Sequence, residues 1–455
     1  MIRAVLVALA LVLFIPTPAQ AGGPVRVDSL AELQQAIDAA QPGTRIELAD
    51  GTYVAESPIA ISGKSGLTIT AAKVGKAEIT GPRGFTFSGS HHIVLRGFKL
   101  TTTQTLRVPS TSTHIRITRN HFELTTAADG DHWLGVDGDD AEIDHNTFAN
   151  KTNLGVYLPI SGPDGKIAQR TWIHHNYFFN HQFTGDNGGE PIRLGLSSKQ
   201  LLTANAVVEY NLFDKVDGDP EAISVKSSDN VIRYNTIIRS EGSIVLRHGN
   251  RNRVEGNLMF GGRSGIRFYG NDHVIVNNQV SGSAGSGIVI GSGSVIDDTT
   301  STGNDRPDRV LIAFNTLVGN AVSITGEGNR PFEPHDCVVA NNAVVGSGAQ
   351  LVTMPRGEVG FRWEGNLLSG APGGDLPASG FRALDPKLSA DSSGIYRPSG
   401  RSPAVDAAVG SYPTVTLDVD RLARTGAKDV SADERRPGGP RRHPLTTADV
   451  GPLAP

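Results

Sequence analysis

The chain has 455 residues, a net charge of −4, 54 glycines and a single cysteine, Cys337. The acidic balance excludes a global attraction for nucleic acid, and one thiol excludes an internal disulfide. It leaves room for an anionic ligand held by a local basic cleft. The many Gly and Asn residues suit short strands and tight corners, because both tolerate positive φ.

The first 21 residues read as a secretory signal. Arg3 supplies the positive start, Ala4 to Ile15 is an apolar run too short for a membrane span, and Ala19-Gln20-Ala21 fits a small-x-small cleavage site. The expectation is an exported protein, periplasmic or secreted, with no membrane association after cleavage. Asp28 to Ala40 follows as an amphipathic helix. Ser29-Leu30-Ala31-Glu32 is a capping box, Leu30, Leu33, Ile37 and Ala40 share a face, and Pro42-Gly43 ends it. Thr44 to Leu48 and Gly66 to Thr70 alternate as strands do. A short helix before stacked strands predicts an N-terminal cap on a solenoid, whose open end needs cover.

A repeat then sets in. A β-branched run ends in Asn, and an apolar or aromatic residue follows closely. The asparagines are Asn120, Asn146, Asn176, Asn211, Asn235, Asn257, Asn278, Asn315, Asn342 and Asn366. Their shortest spacing is 21 (Asn257 to Asn278) and their longest 37 (Asn278 to Asn315). The short spacings match one coil of a parallel β-helix, and the long ones the same coil with an inserted loop. Stacked at the strand spacing of ~4.8 Å, the amides can bond along a column, with Asn taking the left-handed corner conformation. The fold class expected is all-β, a single-stranded right-handed parallel β-helix over 22–380. Cys337, in Asp336-Cys337-Val338-Val339, reads as a packed core thiol. Residues 381–455, rich in Pro, Arg, Asp and Gly, read as an irregular extension packed on the helix.

Three consecutive coils carry the polar residues of interest: Glu221 to Asn230, Ile244 to Asn250 and Gly265 to Asn271. Lys226 lies nine residues before Asn235 and Arg247 ten before Asn257. If the turn absorbs the extra residue, the two project from one face on neighbouring strands. The same count makes Tyr269, rather than Arg267, the next equivalent of Lys226. Stacked cations repel unless an anion lies between them, and a cation beside a lysine favours the neutral form that accepts a proton. Two acidic turns, Asp186-Asn187-Gly188-Gly189-Glu190 and Asp217-Gly218-Asp219-Pro220-Glu221, precede strands one long coil apart. Their oxygen donors suit Ca²⁺, whereas no Cys or His pair has soft-metal spacing.

The runs Asn187-Gly188-Gly189-Glu190-Pro191-Ile192-Arg193, Asp219 to Ser227, Arg247-His248-Gly249-Asn250 and Gly265-Ile266-Arg267 resemble the motifs of polysaccharide lyase family 6. This family holds alginate lyases and the dermatan-cleaving chondroitinase B. The resemblance implies an anionic polysaccharide substrate, with alginate ahead of dermatan sulfate, and Ca²⁺ as cofactor. By position, Lys226 matches the Brønsted base and Arg247 the Brønsted acid. Asn187, Asp219 and Glu221 match calcium ligands. His248, Arg193, Arg267, Glu190 and Tyr269 fall among substrate-cleft positions. In one departure, Asp219 stands where the family has the first Glu of Glu-x-Glu, and its shorter side chain reaches less far toward a metal.

Two rival readings are a β-helix glycoside hydrolase and a non-catalytic carbohydrate-binding solenoid. Hydrolysis needs paired carboxylates at a working separation. Asp139-Asp140 and Asp297-Asp298 are pairs in sequence, but neither belongs to the Lys226 face.

Overall fold

Alternating β-branched residues form short strands, and each coil of the chain lays down three of them before climbing one strand spacing. In the computed structural model, which describes residues 23–125, 130–183, 187–297, 303–436, 438 and 441–455, these strands build three parallel sheets. Sheet I has 14 strands, from Val25–Val27 to Arg362–Glu364, and sheet II has 14, from Gly51–Val54 to Phe381–Arg382. Sheet III has ten, from Leu106–Val108 to Gln350–Thr353. The winding is that of a right-handed parallel β-helix, the hand that twisted strands favour in crossover connections. The signal segment 1–21, Asp186 and Asp298 lie outside the described residues.

Inward residues of sheet I stack in register as Leu95, Ile117, Ile143, Ile173, Val208, Ile232, Val254, Ile275, Ile312 and Val339, ending on Trp363. Each buried aliphatic side chain contributes about 1.5–3 kcal/mol. Phe122, Phe148, Phe178 and Phe213 form a second interior stack, with ring centroids 4.7, 5.0 and 4.9 Å apart. The helix Leu30–Ala39 buries Leu33 and Ile37 in the same core. Its Ser29 Oγ accepts the Glu32 N–H. Cys337 is buried, and burial pushes its thiol up to about 12.

All ten asparagines form one ladder between sheets I and II. Each side-chain amide donates to the Oδ1 of the next, at 2.9–3.2 Å. The left-handed residue is the one before each Asn. Arg119, His145, His175, Tyr210, Tyr234, Asn277, Phe314 and Asn341 have φ between 52° and 57° there, with Gly256 and Gly365 in the same place. The corner is turned one residue early, so the Asn itself points inward and bonds. A second, shorter ladder follows sheet III. Asn230 N–H donates to Asn252 Oδ1 and Asn252 N–H to His273 Nδ1.

The C-terminal segment runs back along the first corner, against the direction of the coils. Val409 N–H bonds Asn341 Oδ1, Ala432 N–H bonds Thr316 Oγ1, Leu445 N–H bonds Thr236 Oγ1, and Gly451 N–H bonds the His175 carbonyl. Arg424, fully buried, reaches Asn277 Oδ1 at 2.9 Å and Glu434 at 2.7 Å.

Candidate active site

Sheet III strands carry the candidate residues. Ile192–Gly195, Glu221–Lys226, Ser243–His248 and Ile266–Phe268 are consecutive neighbours. Inward Ile223, Val225, Ile244 and Leu246 anchor the middle two in the core. The register between those two slips twice. Glu221 pairs with Ser243 but Ile223 with Ile244, so Ala222 is an extra residue. Val225 pairs with Leu246 but Lys226 with His248, so Arg247 is extra as well. These are β-bulges, which re-aim side chains and recur beside active sites. The one-residue excess is thus absorbed within the strand, and not in the turn. Lys226 has His248 as its lateral partner, while Arg247 projects from the bulge.

Each cation meets a carboxylate from the protein itself. Lys226 Nζ lies 3.4 Å from Glu190 Oε1. Arg247 Nη1 and Arg267 Nη2 both reach Glu221 Oε1, at 3.2 and 3.0 Å. Arg267 therefore joins the group, although it pairs with Val245, one column over from Lys226. Arg193 lies in that same column, paired with Ser224. Two residues expected at substrate-cleft positions are buried. Glu190 is 1% exposed and pairs with Lys226. Tyr269 is also 1% exposed. Its hydroxyl bonds Glu327 at 2.8 Å, and Arg330 and Arg267 lie over its ring at 5.0 and 5.7 Å. Its ring packs against Arg267.

Asp219 ties the two acidic turns together. Its Oδ2 accepts the Gly188 N–H at 2.7 Å, and its Oδ1 accepts the Glu221 N–H at 2.9 Å. Gly189 must be glycine, because a Cβ there would lie 2.3 Å from the Gly218 carbonyl oxygen. Burial, then Glu190 and Glu221, push the Asp219 carboxyl up to about 7. Glu190 Oε2 and Glu221 Oε2 are buried with no hydrogen-bond partner among the described residues. His248 is 4% exposed. Burial, then Arg247 and Lys226, push it down to about 4. Its Nδ1 lies 3.2 Å from the Gly303 carbonyl, which only accepts, so Nδ1 carries the proton and Nε2 the lone pair.

Asn187, Asp219, Pro220, Glu221, Ser243, Arg247, Arg263, Ser264 and Arg267 line one cleft of about 390 Å³. Arg263 and Ser264 carry no motif of their own in the sequence. Their signal was proximity to Gly265-Ile266-Arg267, four and three residues before the arginine. A larger hollow of about 510 Å³, between Asp137, Asp139 and Lys166, contains none of these residues. The chemistry therefore favours the smaller cleft. Among the described residues, carboxylate–imidazole groups close to within 4.8 Å at Glu142, Asp144 and His174 and at Asp308, His335 and Asp336. In the Asn187, Asp219 and Glu221 set, Glu221 Oε1 is drawn toward Arg247 and Arg267.

The family profile described as Chondroitinase B matches residues 27–326. No curated protein sequence matches the chain. The family 6 alginate lyase AlyGC superposes with a TM-score of 0.74 at 26% identity, over 83% of this chain and 55% of that one. The chain thus spans about half the length of AlyGC. A family 6 alginate lyase solved with a trisaccharide gives 0.70 at 21% identity, over 84% of this chain and 92% of that one. A mannuronic-acid-specific family 6 lyase from human gut microbiota gives 0.69 at 24%, over 80% and 91%.

Proposed function

The chain belongs to the chondroitinase B family, polysaccharide lyase family 6, and on that premise we propose that it is an exported lyase cleaving a uronate polysaccharide, alginate first, by β-elimination. The observation that carries this reading is the convergence of Lys226, Arg247 and Arg267 on two carboxylates, Glu190 and Glu221. Four cations, Lys226, Arg247, Arg263 and Arg267, gather there with three acids, Glu190, Asp219 and Glu221, so a chain of net charge −4 holds a locally basic cleft.

Lys226, in its neutral form, takes the C5 proton of a uronate. Arg247, raised on its bulge, stabilises charge on the leaving O4 or returns a proton to it. The C5–H and C4–O bonds break, a C4=C5 double bond forms, and no water is consumed. His248 binds as neutral imidazole, its Nε2 accepting from a sugar hydroxyl.

The oxygen-only donors of Asn187, Asp219 and Glu221 fit a hard cation, and so do the orphaned Glu221 Oε2 and the raised Asp219 carboxyl. Bound there, Ca²⁺ would neutralise the substrate carboxylate and make the C5 proton more acidic. Alginate is favoured over dermatan sulfate by the wording of the Asn187 to Leu194 run and by the alginate lyases among the similar structures. Incubation with alginate, dermatan sulfate and pectate separates the outcomes. Ultraviolet absorbance of the unsaturated uronate marks elimination and names the polymer. New reducing ends without it mean hydrolysis, and binding without either means a carbohydrate-binding solenoid.

A further inference from the structure

At the corner following sheet III, side chains pass backbone hydrogen bonds from coil to coil. Asn250 N–H donates to Ser228 Oγ at 3.0 Å, and Asn271 N–H to Asn250 Oδ1 at 2.9 Å. The series then breaks. Asn271, Asp308 and His335 are parallel bridge partners on three successive coils. Each has a buried polar atom with no hydrogen-bond partner among the described residues: Asn271 Oδ1, Asp308 Oδ1 and His335 Nδ1. His335 Nδ1 also lies 2.9 Å from Asp336 Oδ2, outside hydrogen-bond geometry. Ligand atoms of Asp308, His335 and Asp336 lie within 4.8 Å of one another.

Unpartnered polar atoms are costly when buried, and a cation would satisfy the two oxygens and a deprotonated imidazole nitrogen together. Asp308 is 4% exposed. Its Oδ2 is held by Arg309 at 2.9 Å and Arg306 at 3.5 Å, which leaves Oδ1 for an ion. Asp297 and Asp305 accept from the Asn271 amide, and Asp272 pairs with Arg309. Five carboxylates thus meet two arginines. The other closed cluster offers no such opening, because Arg116, Thr118 and His145 already occupy both Asp144 oxygens.

We propose that Asp308, His335 and Asp336, with the Asn271 amide oxygen beside them, form a second metal site for a divalent transition ion such as Zn²⁺ or Mn²⁺. One imidazole nitrogen among oxygen donors favours these ions over Ca²⁺. The site sits at the opposite end of the sheet III strands from Asn187 and Asp219. It fastens the loop that brings the Gly303 carbonyl to His248.

The test is calorimetric titration of chelator-stripped full-length protein with Zn²⁺, in saturating Ca²⁺ to fill any oxygen-only site. The wild type should take up about one equivalent. Uptake should weaken at least about tenfold in His335→Gln and in Asp336→Asn. Both side chains are partly exposed, so circular dichroism and melting of the stripped variants should match wild type. Glu221→Gln should still take up the ion. No Zn²⁺ heat in wild type, or equal uptake in both corner variants, would overturn the proposal. Loss of uptake in Glu221→Gln would assign the ion to the other site and overturn it too.

Discussion

Lys226 and His248 are register partners on adjacent strands, and the residue between His248 and Leu246 is squeezed out as a bulge. That residue is Arg247. A flat strand would have stacked Arg247 on Lys226. The bulge lets the two cations take separate carboxylates, Glu221 and Glu190, at 3.2 and 3.4 Å. Arg247→Lys keeps the charge but loses the planar fork. Turnover on alginate should fall about a hundredfold or more with KM little changed, the loss expected of an interaction made in the transition state. Steady-state kinetics check this, and an unchanged kcat would remove Arg247 from the chemistry.

Excess chelator should lower turnover at least about tenfold, and added Ca²⁺ should restore it. Glu221→Gln removes a candidate ligand and the shared partner of Arg247 and Arg267, so Ca²⁺ should not rescue it. Full activity in excess chelator would contradict a catalytic ion.

Asn257 sits mid-ladder and is fully buried. Its amide donates to Asn278 Oδ1 and the Ile232 carbonyl, and its Oδ1 accepts from Asn235. Asn257→Ala leaves buried groups unpaired on both neighbouring coils. The expected loss is about 2–4 kcal/mol in chemical denaturation, at about 1–3 kcal/mol per unsatisfied group. A loss below measurement error would mean water or a shifted backbone replaces the amide.

His273 ends the second ladder. Its Nδ1 accepts the Asn252 N–H and its Nε2 faces the Tyr269 carbonyl at 2.7 Å. Burial lowers it from 6.5 to about 4. Below pH 6.5 the unfolded chain binds a proton that the folded chain refuses until about pH 4. Stability is therefore full above 6.5 and is lost as pH falls through that window. Melting temperature should drop between pH 6.5 and 4, and His273→Asn, which keeps a ladder acceptor, should flatten part of the drop. A slope unaffected by the substitution would place the acid sensitivity elsewhere.

The ladder was legible in the sequence because one residue type recurs at a position where only its amide can bond both up and down the column. All ten asparagines read there form it. The left-handed residues before them were not legible, because His, Tyr, Arg, Phe and Asn share that place and only Gly256 and Gly365 announce it. Counting back from the asparagines located Lys226 and Arg247 to within one residue. That residue was the bulge, which depends on pairing and not on spacing. Glu190 and Tyr269 sit beside cleft motifs in the sequence. Whether such a side chain surfaces depends on the neighbouring coil, which local sequence does not contain. For the same reason the Asp308 and His335 cluster is not legible in the sequence, its members lying a full coil apart.

Elimination with Lys226 as the base has a direct spectroscopic signature. The most direct measurement is the ultraviolet absorbance of unsaturated uronate during incubation of alginate with wild type and with Lys226→Ala, alongside circular dichroism of both. Wild type should give steadily rising absorbance, Lys226→Ala none, and the two folds identical spectra. Rising absorbance with the alanine variant would contradict the assignment of the base, and cleavage by wild type without absorbance would contradict elimination itself.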